Sequence, residues 1–133
     1  MTLEQALHAL GHDAIVKHVG YSGWTSQELL TSPIGNEAQP DLAFVLQREP
    51  TTLAVILAGT NDLGRRTNAT DTEIAESVWA LHTVAHKLRV PTVVVSIPTT
   101  GYGMGVRNRD AWDALRGRVN ALLRDRCTAE AHI

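Results

Sequence analysis

Three glycine-rich segments carry most of the residues that could take part in chemistry. They are predicted to be loops, they span positions 20–25, 59–64 and 98–105, and each follows an apolar stretch of chain. Glycine lets a backbone bend sharply and brings main-chain N–H groups close to a ligand. Ligands of open parallel sheets bind beyond the carboxyl ends of the strands. If the apolar stretches are parallel strands, the three segments meet at a ligand-binding edge.

Two other patterns are similar to known catalytic or metal-binding spacings, but neither is complete. Ser22 lies in Gly-Tyr-Ser-Gly-Trp, which matches the nucleophile elbow Gly-x-Ser-x-Gly except that Trp24 replaces the last glycine. His82 and His86 have the spacing of a zinc pair, yet Thr83 stands where a metalloprotease has Glu, and no third ligand is evident. We therefore expect no metal site, and we expect both histidines on a solvated helix face.

The third segment also contains a partial nucleotide-binding pattern. Gly101, Gly103 and Gly105 are similar to a dinucleotide loop, but the third glycine comes one residue early. A flavodoxin-like nucleotide-binding domain is therefore kept as a minor alternative, and no cofactor is expected.

The elements that would position these segments form a strand, helix, strand unit. Residues 53–58 and 92–97 are apolar without alternation, which is typical of parallel strands buried on both faces. Between them, apolar residues recur at helical spacing. Thr70 and Glu73 form a capping-box start, and Pro91 ends the pattern. The apolar stripe consists of Ile74, Val78, Leu81, Ala85 and Leu88.

The rest of the chain continues this alternation of helices and strands. The pattern predicts a helix from Leu3 to Leu10, a strand over 14–19 and a short helix over 41–48. It also predicts a last helix that runs to about Arg126. The buried face of that last helix is predicted to carry Trp112, Leu115, Val119 and Leu122.

Two sequence blocks resemble a known family. Residues 19–26 (Val-Gly-Tyr-Ser-Gly-Trp-Thr-Ser) and 57–64 (Leu-Ala-Gly-Thr-Asn-Asp-Leu-Gly) resemble the second and third blocks of the SGNH hydrolases, also called GDSL-type esterases and lipases. The resemblance implies a three-layer α/β/α fold with a parallel, flavodoxin-like sheet. It also implies hydrolysis of a small ester through a serine acyl-enzyme, without a cofactor.

The resemblance assigns two residues to catalysis. It implies that the Gly23 N–H and the Asn61 side-chain amide donate to the oxyanion that forms when an ester carbonyl is attacked. Each such donor is worth about 2.7–4 kcal/mol. Trp24, Gly59 and Tyr102 are expected to line the substrate pocket, whereas Trp79 and Trp112 are expected to pack in the core. Asp62 is expected to anchor its own loop.

Two other family blocks are missing from the sequence. The nucleophile of the family lies in a Gly-Asp-Ser block and its base in an Asp-x-x-His pair, and neither occurs in these residues. We therefore expect one partial domain over 1–133 that lacks its first and last strands and is close to inert. A truncated hydrolase and a non-catalytic binding module both fit. The strands at 14–19 and 53–58 would have to pair directly, pair with another chain or remain open.

Composition excludes several other functions. The 133 residues include 12 basic and 14 acidic side chains, giving a net charge of −2, without the clustered Lys and Arg that nucleic acids require. No apolar run approaches the length of a membrane span. The single cysteine, Cys127, excludes an internal disulfide framework. A cytoplasmic location is expected, and the oligomeric state stays open.

Overall fold

The computed structural model describes residues 1–99 and 108–130, which contain six α-helices and two β-strands. In chain order the elements are α1 (Leu3–Ala9), α2 (Ser26–Leu30), α3 (Leu42–Arg48), β1 (Ala54–Ile56), α4 (Thr60–Arg65), α5 (Asp71–Lys87), β2 (Thr92–Val94) and α6 (Arg109–Glu130). None of these helices is long and apolar enough to cross a membrane.

The two strands form a small parallel sheet. Val55 of β1 pairs with Val93 of β2, and the residues on either side pair in the same register. Val95 extends the ladder by donating its N–H to the carbonyl of Ile56. Because α4 and α5 connect the two strands, the predicted strand, helix, strand unit and the α/β class are confirmed.

Helix α5 is the centre of the packing. It begins with the predicted capping box, in which the Thr70 side chain accepts from the Glu73 N–H and the Glu73 carboxylate accepts from the Thr70 N–H. Its apolar stripe is buried as predicted, apart from Leu88, which caps the helix and is partly exposed. Helices α2, α3 and α6 and both strands contact α5. The helix therefore organises the core around itself.

The last helix is confirmed, with one change in its buried face. Trp112, Leu115 and Val119 are buried as predicted. The prediction for Leu122 is wrong: it is 36% exposed, whereas Leu123 is 2% exposed. A step of four residues from Val119 keeps position 123 on the stripe that faces α5, and position 122 is turned about 100° away from it.

The strand predicted over 14–19 does not form. The segment has no ladder partner, and Ile15 is 82% exposed. Side chains hold it instead: the Val16 N–H donates to the Glu4 carboxylate, and Lys17 pairs with Glu49. A strand is stabilised by a neighbouring strand, and none lies alongside this segment in the described part of the chain. Of the three outcomes expected for this region, the structure has the open one.

The sheet is buried on one face only, which corrects the prediction of two buried faces. Ile56 is 8% exposed, whereas Val55 is 57% and Val93 is 44% exposed. Leu53 and Leu57 lie two residues from Val55 in each direction and are also exposed. Side chains alternate between the two faces of a strand, so these residues share the face opposite α5. We call Leu53, Val55, Leu57 and Val93 the open sheet face.

Candidate functional site

The two blocks that resemble the family lie side by side. The Asn61 Nδ2 donates to the main-chain carbonyl of Trp24 at 2.8 Å, across 36 intervening residues. Asn61 lies in the first turn of α4, so the prediction of a loop from 59 to 64 is wrong beyond its first residue. Gly59 is the N-cap of α4 and has a left-handed φ of 104°. The turn at Gly59 connects β1 to α4 and places Asn61 next to the loop that precedes α2.

The loop before α2 places Gly23 at the surface. Its φ is 81°, and its carbonyl accepts from Arg65 Nη1 at 2.5 Å. The Trp24 N–H donates to the Tyr21 carbonyl and closes the turn. The described residues offer the Gly23 N–H no hydrogen-bond acceptor. The Asn61 amide is therefore bonded to the residue that directly follows Gly23.

A capping box begins α2 and fixes the end of this loop. The Thr25 N–H donates to Glu28 at 2.7 Å, and the Thr25 side chain accepts from the Glu28 N–H. The hydrogen bond from the Thr25 N–H, with smaller contributions from the Thr25 hydroxyl and Arg65, lowers the pKa of the Glu28 carboxyl. Arg65 pairs with Glu28 at 2.8 Å as well as with Gly23. Through Arg65, helix α4 therefore contacts both the loop, at Gly23, and α2, at Glu28.

A buried contact joins the two blocks below the surface. Asp62 and Ser26 are both fully buried. Asp62 accepts from the Ser26 N–H at 2.8 Å and from the Ser26 hydroxyl at 2.6 Å. Asp62 does anchor a loop, but it is the loop of the other block. The sequence gives no local sign of this pair because its members are 36 positions apart.

The three expected pocket residues have different surroundings. Trp24 is half-buried, and its ring lies 4.3 Å from the Tyr21 ring, centroid to centroid. Gly59 is buried, and a Cβ there would lie 2.6 Å from Ile97 Cδ1. Gly59 therefore permits close packing of the α4 turn against the core. Tyr102 lies outside the described residues, as does the partial nucleotide loop around it.

Comparison with known proteins supplies the deciding observation. A profile of the GDSL-like Lipase/Acylhydrolase family matches residues 2–133. The chain belongs to this family. No curated protein and no solved structure gave a significant match. The suspected SGNH relationship is thereby confirmed, and with it the general character of a GDSL-like hydrolase domain.

The GDSL-like domain also contains a histidine whose surroundings differ from the prediction. His82 is fully buried, so its assignment to a solvated helix face is wrong, while His86 is exposed as expected. His82 Nδ1 lies 2.9 Å from the Thr92 hydroxyl, and its ring stacks on Trp79 at 5.1 Å. Burial, assisted by the proximity of His86, lowers the pKa of His82 to about 4. This histidine is part of the core between α5 and β2.

The described part of the GDSL-like domain holds no cluster of three or more His, Cys, Asp or Glu residues suited to a metal. Two surface depressions are lined by residues of other regions. One lies between α5 and α6 beside Ala75 and Leu123, and the other is next to Thr99 and Trp112. The site of interest is instead an open surface formed by the Gly23 loop and the start of α4.

Proposed function

We propose that this GDSL-like domain binds the carbonyl oxygen of a small acyl ester through the Gly23 N–H and the Asn61 Nδ2. The observation that supports the proposal is the 2.8 Å hydrogen bond from Asn61 Nδ2 to the Trp24 carbonyl. A primary amide has two N–H donors, and this bond uses one of them. The second is available to a ligand beside the Gly23 loop.

Such a pair suits the charge that develops during ester cleavage. Attack on an ester carbonyl places a negative charge on its oxygen, and neutral donors already in position stabilise that charge without reorganising. The adjacent ring pair of Tyr21 and Trp24 offers an apolar surface for the acyl or alcohol group. The geometry of the loop therefore fits an oxyanion site with an aromatic wall.

We further propose that the 133 residues, taken on their own, bind such a group but turn it over very slowly. The sequence contains no Gly-Asp-Ser and no Asp-x-x-His. Loss of the serine or histidine of a catalytic triad costs about a million-fold in turnover in a well-studied hydrolase. Donors without a nucleophile and base leave a binding site, which is also what a non-catalytic relative would retain.

The test measures turnover and binding separately. With p-nitrophenyl acetate, we expect release of nitrophenol at close to the rate in buffer alone. With acetate, we expect the Gly23 amide and the Asn61 side-chain amide to shift together in NMR titrations. Asn61→Ala should abolish the shift of Gly23, whereas Asn68→Ala, on an exposed loop, should leave it unchanged.

Two results would contradict the proposal. Clear turnover of the ester that Asn61→Ala abolishes would overturn the expected inertness. An acetate titration that moves neither amide would overturn the oxyanion-site assignment itself.

A further inference from the structure

Asp62 joins the two blocks by hydrogen bonds that lie wholly in the interior. Both of its carboxylate oxygens point to Ser26: Oδ2 accepts from the main-chain N–H and Oδ1 from the side-chain hydroxyl. Neither residue has measurable solvent exposure. Arg66, one turn further along α4, also donates to Oδ1 at 3.3 Å.

A carboxylate in this environment is costly unless its hydrogen bonds are well made. Removal from water disfavours a charged group, and only paired donors offset that cost. Asp62 has such donors, from Ser26 and from Arg66. Arg66 in turn donates to the hydroxyl of Ser77 on α5. The carboxylate is thus joined both to the first residue of α2 and, through Arg66, to the central helix.

The position of the pair relates it to the surface donors. Asp62 directly follows Asn61, and Ser26 comes three residues after Gly23. The two bonds to Ser26 engage different oxygens, so they restrict rotation as well as distance between α2 and α4. Donors act on an oxyanion only within about 2.7–3.1 Å, so a small movement of one block would uncouple them.

We propose that Asp62 is a positioning residue, which through its two hydrogen bonds to Ser26 holds the Gly23 N–H and the Asn61 amide in the arrangement needed to contact one ligand oxygen. This inference rests on the proposed function for the identity of the ligand. The Asp62 bonds to Ser26 are buried, whereas the contacts of Arg65 and the Asn61 bond to Trp24 both lie in or near solvent.

The experiment first measures the ligand-free protein by NMR. In the wild type, we expect the Asn61 side-chain amide protons to be protected from exchange with solvent by their bond to Trp24. Ser26→Ala removes the hydroxyl but keeps the main-chain donor, and should lower this protection about tenfold. Asp62→Ala should lower it further. Asp62→Asn keeps one acceptor oxygen, so we expect it to restore part of the protection.

A matched control separates positioning from a general loss of stability. Val90→Ala removes apolar atoms from the small core cluster that Val90 forms with Leu46 and Ala85, and this cluster contains no residue of either block. It should lower the unfolding free energy while leaving the Asn61 amide protected at conditions where the protein stays folded. If Asp62→Ala does not fold, Ser26→Ala decides the question.

The second measurement repeats the acetate titration on the same variants. We expect acetate affinity to fall about tenfold in Ser26→Ala, and Gly23 and Asn61 no longer to report a common affinity. Retained protection of Asn61 in folded Ser26→Ala and Asp62→Ala would overturn the positioning role, whatever acetate does. Lost protection with no acetate response in the wild type would support the positioning role and contradict the proposed function.

Discussion

Gly23 and Gly59 both have left-handed backbone conformations, but the structure requires glycine at each for a different reason. At Gly23, an added Cβ would meet no atom within 4 Å, so only the φ of 81° disfavours a side chain. At Gly59, the φ of 104° is combined with a distance of 2.6 Å to Ile97 Cδ1 and 3.2 Å to Val78 Cγ2. The second glycine therefore has a packing constraint as well as a conformational one.

The two glycines should differ measurably when replaced by alanine. We expect Gly23→Ala to cost about 1–2 kcal/mol of unfolding free energy, the penalty of a left-handed residue with a side chain. Gly59→Ala should cost about 2–4 kcal/mol, because overpacking is added. Urea unfolding measures both. Gly117→Ala is the control: its Cβ would meet nothing, and alanine in a helix should stabilise by about 1 kcal/mol. Equal costs at Gly23 and Gly59 would contradict the packing argument.

At the scale of elements, a single amide fastens the last helix to the chain leaving β2. Asn120 of α6 is buried, and its Oδ1 accepts from the Ile97 N–H at 2.8 Å while its Nδ2 donates to the Ile97 carbonyl at 3.0 Å. Arg116 also donates to that carbonyl. The Ile97 side chain fills the space above Gly59. Ile97 therefore contacts both the α4 turn and α6.

Asn120→Ala should destabilise the protein by about 2–3 kcal/mol, because it leaves the buried Ile97 N–H without a partner. The measurement is the free energy of unfolding by denaturant. Arg124→Ala, at an exposed position of the same helix, should change it by less than about 0.5 kcal/mol. A cost for Asn120→Ala no larger than that of Arg124→Ala would show that the amide contact contributes little.

The elements that could be predicted are those whose signals are local. The capping box of Thr70 and Glu73 and the apolar stripe of α5 are complete within one stretch of sequence, and both were predicted correctly. The segment 14–19 has a strand-like composition, but a strand depends on a neighbour, and that information is not local. The burial of His82 was missed for the same reason.

The candidate site divides in the same way. Gly23 and Asn61 could be proposed from the sequence because each lies in a short block with a recognisable pattern. The contacts that place those blocks together, from Asn61 to Trp24 and from Asp62 to Ser26, each join residues 36 or 37 positions apart. Such pairs depend on how α2 and α4 pack, and no spacing within either block predicts them.

At the scale of the whole molecule, His82 makes stability depend on pH. Burial first, and His86 second, lower its pKa from 6.5 to about 4 in the folded state, while Glu130 opposes the change. Between about pH 6.5 and pH 4 the unfolded chain therefore binds a proton that the folded protein does not. The unfolding free energy must fall as the pH is lowered through this range, and His82 contributes no such dependence above it.

We expect a loss of about 2–3 kcal/mol from this residue between pH 7 and pH 4. The comparison is between wild type and His82→Gln, with the unfolding free energy of each measured by denaturant at several pH values. The variant should be less stable at pH 7 but should lose less stability on acidification. The same pH dependence in both proteins would contradict this prediction, because it would show that His82 is protonated over the same pH range in the folded protein as in the unfolded chain.

The open sheet face has a thermodynamic consequence for the whole chain. Leu53, Val55, Leu57 and Val93 are hydrated to a large extent before unfolding begins. The heat capacity increment of unfolding arises from apolar surface that becomes newly hydrated, so these four side chains add less to it than their composition suggests. The increase in heat capacity on unfolding, measured by calorimetry, should consequently be smaller for this protein than for a domain of equal length whose strands are covered on both sides.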